Sequence, residues 1–556
     1  MHTFAKNALG GIQNQDASRK TNKNREGPII RINSLPTPIS PLHLKNELVG
    51  YDKVKSEFLV KGISNGFHLG CVGSPGIHKP HNHKSTSDHP EIVEEYIKKG
   101  LDTQRIAGPF LSPPLPNFKT SPLGVVPKSD PGKFRIIHDL SYPHGNSVNS
   151  LIPQEASEVK YDSIDNIVAL VQKFGYGALM AKSDIQDAFR IMPVHPSDYH
   201  LLGFSWNDHF YYERCLPMGA SSSCQIFECL SNALQWVMYT KYKASGLSHI
   251  LDDFFFISHA GSAKCKQDLT NFLYLCSKTN IPINMSKTIL PTTKITIYGI
   301  EVDSVAMECR LPVEKVVKTT HRLQEFSRKK KVQLRDLQSL IGLLNFACSV
   351  VVPGRAFLRR LIDLVIGVQS PFHWIRLTKE SRADINIWLL FLSQFNGKSV
   401  FLPAKWDSSD CLHLYTDASG AIGYAAVLGT SWFAQTWPHG FDEHHIAIKE
   451  LFPIVLALEL WGLRLKDKKI LFFTDNISVV HVINKQSSKD KVLMALIRRL
   501  VLVCLCNNIL FKAKHIPGKQ NTVADSLSRF NFQAAKREAP NLDENPCIVP
   551  GNLLQI

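Results

Sequence analysis

Two adjacent carboxylates, Asp252 and Asp253, interrupt the otherwise apolar run His249-Ile250-Leu251-Asp252-Asp253-Phe254-Phe255-Phe256-Ile257. Carboxylates in such a run are costly to bury unless a cation lies against them. A tight turn between two short strands, with both acids at its tip facing metal ions, meets that constraint most simply. A third acid in a similar setting lies upstream, Asp184 in Met180-Ala181-Lys182-Ser183-Asp184-Ile185-Gln186-Asp187-Ala188-Phe189. One strand-borne Asp with an Asp-Asp turn suits a pair of magnesium ions and points to nucleotide chemistry. The alternative, a set of surface-loop acids, fits poorly with the apolar flanks.

At 556 residues the chain exceeds one core, and its length alone suggests roughly three or four domains. Lys+Arg exceed Asp+Glu by 64 − 48 = 16, which suits a polyanionic partner without proving one. Twelve cysteines, none in a CxxC pair, fit a reduced intracellular setting, cytoplasm and/or nucleus. Cys71 lies near His68, His78, His81, His83 and His89, but the stretch is rich in Gly and Pro and has no ligand-like spacing. A loop is expected there rather than zinc. With neither a spanning apolar run nor a signal peptide, no membrane role is expected.

Residues 1–45 read as a flexible basic arm, and 46–116 as an approach segment ending in a Pro-rich stretch. Residues 117–300 alternate short strands and helices, 301–405 read mostly helical, 406–530 form a second α/β unit, and 531–556 an untied tail. The basic run Arg328–Lys331 falls in the helical part; solvated face, phosphate contact and import signal all remain open for it. The expected fold class is thus α+β and multidomain.

The second α/β unit carries its own acids. Asp417 and Asp475 end strands, Glu450 opens an apolar-periodic helix, and Asp525 follows His515, Gly518 and Asn521. Four carboxylates at strand ends and helix starts, sharing one edge of a sheet, could hold two metals for phosphodiester hydrolysis. Pro453 would cost ~3 kcal/mol in a helix interior, so the helix is expected to begin near Lys449, with the proline in its first turn.

These motifs resemble known families. The Asp184–Phe189 segment, Leu216-Pro217-Met218-Gly219-Ala220-Ser221-Ser222, and Leu251-Asp252-Asp253 resemble the three palm motifs of reverse transcriptases, in order. Residues 121–135 are similar to the fingers hairpin of retroviral enzymes. The resemblance implies a right-hand polymerase of fingers and palm (117–300) and thumb and connection (301–405). It implies direct metal ligation by Asp184 and Asp252, with Asp253 a weaker third. It further implies that Lys128 and Arg135 grip the incoming triphosphate. Phe189 would gate against the ribose 2′-hydroxyl. Asp187, Met218, Gly219 and Lys287 would line the nucleotide site, and Gly299 and Ile300 suggest a primer-gripping hairpin. Ile250, Met218 and Cys224 depart from the usual residues but remove no metal ligand.

Asp417, Glu450, Asp475 and Asp525 resemble the acid set of ribonuclease H, with His515 as its mobile-loop histidine. The implied cofactor is Mg²⁺, two per site, with Mn²⁺ able to substitute. Implied partners are an RNA template, a DNA primer, their hybrid and deoxynucleoside triphosphates. Arg105–Phe110, Ile137–Pro143, Leu201–Phe204 and Pro353–Leu361 are similar to DIRS-type (tyrosine-recombinase) retrotransposons. With no aspartic protease motif, integrase-like zinc element or recombinase domain, the chain is expected to be the polymerase–ribonuclease portion of such an element. The rival expectation is a non-catalytic or ribonuclease-only relic that binds nucleic acid.

Overall fold

A computed structural model describes residues 34–554, apart from 74–75, 77–79, 129–131, 396–398, 401–406, 409–411, 413, 442, 487, 489 and 517–520. Most of the expected arm, His78 and Gly518 lie outside the described residues. The expected α+β multidomain class is what the structure shows: seven small sheets among the described residues, interleaved with helices.

The central element of the first half is a four-stranded antiparallel sheet, ordered Leu247–Ile250, Asp253–Ser258, Leu179–Asp184, Ile289–Thr292. Its middle strand is apolar on both faces: Phe254, Phe255, Phe256 and Ile257 are fully buried. Such double burial explains why this strand reads as a continuous run rather than an alternation. Phe254 and Phe256 pack toward the helices Ser223–Thr240 and Lys264–Thr279, and Phe255 and Ile257 toward the helix Ile164–Phe174. Both faces are therefore clamped, and only the strand ends remain open.

The approach segment is not a separate unit, because its strand Ile106–Phe110 pairs with His209–Glu213. Its helix Lys53–Asn65 packs on Ser223–Thr240. The arm is also shorter than expected. Ile39, Leu44 and Leu48 are buried, and Glu47 in the helix Pro41–Glu47 pairs with Lys278 at 2.5 Å and Lys241 at 3.4 Å. Buried Ile39 and Leu44, with the two ion pairs of Glu47 just beyond, hold residues that read as polar linker.

The boundary expected at 300 cuts a sheet. Lys294–Ile297, Ile300–Asp303 and Glu308–Arg310 form a meander, and Ser399–Val400 adds the fourth strand. Helices Val313–Ser327, Leu334–Ala347 and Lys379–Phe395 supply the helical character expected beyond it.

Among the described residues the C-terminal half has two three-stranded sheets. Leu414–Ala418, Gly423–Leu428 and Ser431–Thr436 are antiparallel, while Asp407–Ser408, Lys469–Thr474 and Leu510–His515 are parallel. The helix Ile446–Trp461 packs against the first two antiparallel strands and the helix Lys491–Cys506. The tail is tied down. Trp432 Nε1 donates to the Asp543 carbonyl at 2.8 Å, the amide of Cys547 donates to the Trp432 carbonyl at 2.7 Å, and Arg499 donates to the Leu553 carbonyl at 2.6 Å. The outer face of the antiparallel sheet presents Trp432 beside Leu527, and the tail helix Phe532–Glu538 covers it with Ala535. No described helix is long and apolar enough to cross a membrane.

Candidate active sites

The first acid set sits where three strand ends meet. Leu251 takes a left-handed backbone conformation (φ 52°), so the chain reverses over Leu251 and Asp252, and Asp253 opens the returning strand opposite Asp184. The turn is anchored below: Ser231 Oγ donates to the Leu251 carbonyl at 2.7 Å, and the Leu251 amide donates to Glu228 at 3.2 Å. Glu228 also contacts His249 Nε2 at 3.1 Å, and His249 contacts Gln235. Sequence reasoning missed this buried support. Glu228, Ser231 and Gln235 lie on one face of one helix at spacings of three and four, a signal that was available.

Asp184 is buried, and Lys287 Nζ reaches its Oδ2 at 3.1 Å. Burial, with Asp184 and Asp253 adding repulsion, pushes Asp252 up to about 6, although Lys287 opposes this. Asp253 is also pushed up, by burial first and Asp184 next, while Lys182 and Lys287 pull it down. Three carboxylates therefore share one basin in which burial and mutual repulsion outweigh the pull of the nearby lysines on Asp252 and Asp253, a deficit of positive charge. That deficit is what hard divalent cations fill, so the residues present fit magnesium.

The other expected nucleotide contacts lie on several elements. Lys128 and Arg135 are exposed on the hairpin Leu123–Pro127/Phe134–His138. Asp187 has φ 57° and precedes the short 3₁₀ helix Ala188–Ile191, with its carboxylate held by Arg105 at 2.8 Å. Phe189 is half-buried, its ring edge-on to Phe227 at 5.6 Å. Met218 is exposed. A side chain at Gly219 would collide with the His138 carbonyl, so glycine alone lets this loop seat against the hairpin base. Gly299 has φ 75°, and Ile300 is buried at the start of its strand.

The second acid set is gathered from four elements. Asp417 lies in the strand Leu414–Ala418, Asp475 follows the strand Lys469–Thr474, Glu450 lies in a helix, and Asp525 in the helix Thr522–Ser528. The Glu450 helix differs from expectation. It begins at Ile446, capped by His445, whose ring accepts the Ala447 amide at 3.2 Å. Glu450 is thus one turn inside, and Pro453 lies in the interior with its neighbours Phe452 and Ile454 fully buried. Tertiary packing on both sides outweighs the local cost of the proline.

Burial, with Asp417 and Asp475 facing it, pushes Glu450 up to about 8. Asp417 is pushed up to about 6 by burial first. Ser528, donating to its Oδ2 at 2.7 Å, pulls it down, while Asp525 and Asp475 push it further up. Arg529 pairs with Asp525 at 2.9 Å. Ser528 and Arg529 went unread in the sequence, though they stand three and four residues after Asp525 on one short helix. Asn521 Nδ2 donates to the Thr416 carbonyl at 2.7 Å and fixes that helix to the Asp417 strand. His515 does not sit in a loop: it ends the strand Leu510–His515 and contacts the Asp475 carbonyl at 3.1 Å. Arg529 offsets only part of this charge, and the oxygen-only donor set fits magnesium.

The histidines of the Cys71 stretch do not gather on one another: His68 lies against His195 and Asp198 instead. His83 pairs with Asp139 at 3.0 Å and His89 with Glu91 at 3.4 Å.

The chain thus carries two separate clusters of carboxylates, one in each half, set at strand ends and on adjoining helices. No known family profile matches the chain. It is 24% identical over 335 residues to the enzymatic polyprotein of Carnation etched ring virus, covering 59% of this chain and 47% of that protein. It is 20% identical over 330 residues to the Pro-Pol polyprotein of Simian foamy virus type 1, covering 59% and 25%. The chain thus spans about half or less of these relatives. A solved foamy viral protease-reverse transcriptase in complex with double-stranded DNA aligns at 16% identity and a TM-score of 0.47, over 89% of this chain and 84% of that one.

Proposed function

We propose that the chain is an RNA- and DNA-templated DNA polymerase joined to a ribonuclease H. The observation that carries this reading is the pair of separate carboxylate basins, one around Asp184, Asp252 and Asp253 and one around Asp417, Glu450, Asp475 and Asp525. Similarity to viral polyproteins supports it. Magnesium bound at the first basin would activate the attacking oxygen and hold the leaving pyrophosphate. Lys128 and Arg135 reach the triphosphate from the exposed hairpin, and Phe189 closes the space beside the sugar. Lys287 holds positive charge against Asp184 and keeps that carboxylate aimed. At the second basin Asp417, Glu450 and Asp475 would hold metal, with Asp525 and His515 at the rim. Both reactions would act on the same hybrid, one copying the RNA and the other removing it.

Residues 117–300 would serve as fingers and palm, with the approach segment packed into them, 301–405 as thumb and connection, and 406–554 as the nuclease. A DIRS-type origin is part of this reading and rests on the four segments similar to that group. Lys and Arg contacts to the backbone should make hybrid affinity fall steeply with salt.

The test uses purified chain, Mg²⁺ and a labelled RNA template on a DNA primer, with extension and RNA cleavage followed together. Both activities are expected. Cleavage without extension would leave a ribonuclease with a silent polymerase site. Tight, salt-sensitive hybrid binding with neither activity would overturn the reading in favour of a binding relic.

A further inference from the structure

We propose that His68, His195 and Asp198 form a zinc site on the face of the molecule formed by the approach segment and the loop after the Asp184 strand. Among the described residues this is the one trio of His, Cys, Asp or Glu whose ligand atoms all lie within 4.8 Å of one another. Neither acid basin brings three that close.

The backbone sets the two histidines side by side. Phe67 and Val194 form an isolated parallel bridge, with the Phe67 amide donating to Pro193 and the His195 amide donating to Phe67. The residues that follow them, His68 and His195, are therefore in register, and their rings stack at 4.1 Å. Gly66, at φ 92°, permits this approach: a side chain there would strike the His195 backbone. Little chain entropy remains to be lost when a ligand joins the two rings.

The carboxylate is placed as a metal ligand. His68 Nδ1 and Asp198 Oδ1 stand 3.3 Å apart, long for a hydrogen bond. It matches the ligand-to-ligand edge of about 3.3 Å in a tetrahedron with bonds of about 2.0–2.1 Å. Asp198 Oδ2 accepts the Leu69 amide at 2.8 Å, and Ser197 Oγ donates to Oδ1 at 2.8 Å. Backbone and hydroxyl donors of this kind hold a ligating carboxylate in place. His195 Nδ1 lies 2.8 Å from Ser197 Oγ and accepts the Ser197 amide at 3.3 Å. These contacts fix the orientation of the ring beside His68 and Asp198, as the partners of a ligating histidine do.

Two imidazoles and one carboxylate select a borderline cation such as Zn²⁺ over Mg²⁺. His68 is 62% exposed along its side chain, so the fourth position is open to water. Local spacing could not reveal this site, because His68 and Asp198 lie 130 residues apart. A bound ion would pin the segment after helix Lys53–Asn65 to the loop that follows the polymerase strand.

The test is calorimetric titration of the full chain with Zn²⁺ in saturating Mg²⁺, which occupies the oxygen-only basins, for wild type, His68→Ala, His195→Ala and Asp198→Asn. One Zn²⁺ per chain is expected, with at least tenfold weaker binding in each variant. Titration with Co²⁺ should give a visible absorption band that His68→Ala loses. His68 is exposed, so this variant should keep the zinc-free melting temperature, which separates loss of a ligand from loss of the fold. Zinc binding of equal strength in wild type and His68→Ala, or no zinc binding by wild type, would overturn the proposal. Neither result bears on primer extension.

Discussion

The two acid basins meet one electrostatic problem in different ways. Around Asp184, Asp252 and Asp253 the chain supplies fixed positive charge: Lys287 touches Asp184, and Lys182 and Lys287 both pull Asp253 down. Among the described residues no lysine acts on Asp417 or Glu450 in this way. Arg529 stands at the rim on Asp525, and Glu450 is pushed up to about 8. In the first basin lysines lie against the acids; in the second the raised Glu450 holds a proton. A proton leaves when a cation arrives, whereas a lysine must be outcompeted or turned aside. The two sites should therefore answer differently to pH and to charge removal.

The largest effect should come from removing one acid at a time. Asp252→Asn is expected to lower DNA synthesis by at least ~10²–10³-fold, the scale of one well-placed electrostatic group, and to leave RNA cleavage unchanged. Asp475→Asn is expected to do the reverse. Single-turnover extension and hybrid cleavage on the same preparations check both. If either substitution reduced both activities equally, the basins would not be separate sites.

Next comes the proton held by Glu450. Its folded-state value of about 8 lies above the ordinary 4.5, so the native state keeps a proton that the unfolded chain releases. Stability from this group is full below about pH 4.5 and is lost as pH rises toward 8, at up to ~1.4 kcal/mol per unit. Gln cannot ionise. In EDTA, Glu450→Gln should match wild type near pH 4.5 and exceed it increasingly up to pH 8. Thermal midpoints across that range check the sign; a constant offset would mean that Glu450 is ionised throughout.

How much of this was legible in the sequence depended on burial. Asp252 and Asp253 stand out because the residues after them are buried on both faces, which strips the background of polar residues. The strands and helices of the C-terminal half fall close to their expected positions because each carries a strong period of its own. The Glu450 helix starts earlier than Pro453 taken locally suggests, because the buried Phe452 and Ile454 decide the matter through tertiary packing. The arm and tail were misread for a related reason. Ile39, Leu44 and Ala535 are single apolar residues in polar company, and only their distant partners show that they are covered. Glu228 and His249, which support the Asp252 turn, meet across 21 residues and two elements. No short motif encodes that pairing.

Lys287→Ala should have an intermediate effect and falls only on the first basin. Lys287 opposes the rise of Asp252 and holds Asp184. Without it, repulsion among the three acids grows, and Asp252 should take up its proton at higher pH. Synthesis is expected to fall about tenfold near pH 7 and to recover in part at pH 8.5, with the acid limb of its pH profile moved upward. An unmoved profile with a uniform loss would make Lys287 a nucleic-acid contact rather than a partner of the acids.

The smallest expected effect tests the second basin with one hydroxyl. Ser528 Oγ donates to Asp417 Oδ2 at 2.7 Å and accounts for the main downward pull on that acid. A hydrogen bond to a charged group is worth about 1.5–3 kcal/mol, so its loss should raise Asp417 by about one unit or more. Asp417 already stands at about 6, which places the change in the working range. Ser528→Ala should therefore cut RNA cleavage several-fold at pH 6.5 and leave it near wild type at pH 8.5. Synthesis should not change at either pH. The loss must disappear as the pH rises, because only the charge on Asp417 has been altered. A loss of equal size at both values would instead mean that the Asp525 helix has shifted, since Ser528 Oγ also contacts the Asp525 carbonyl at 2.9 Å.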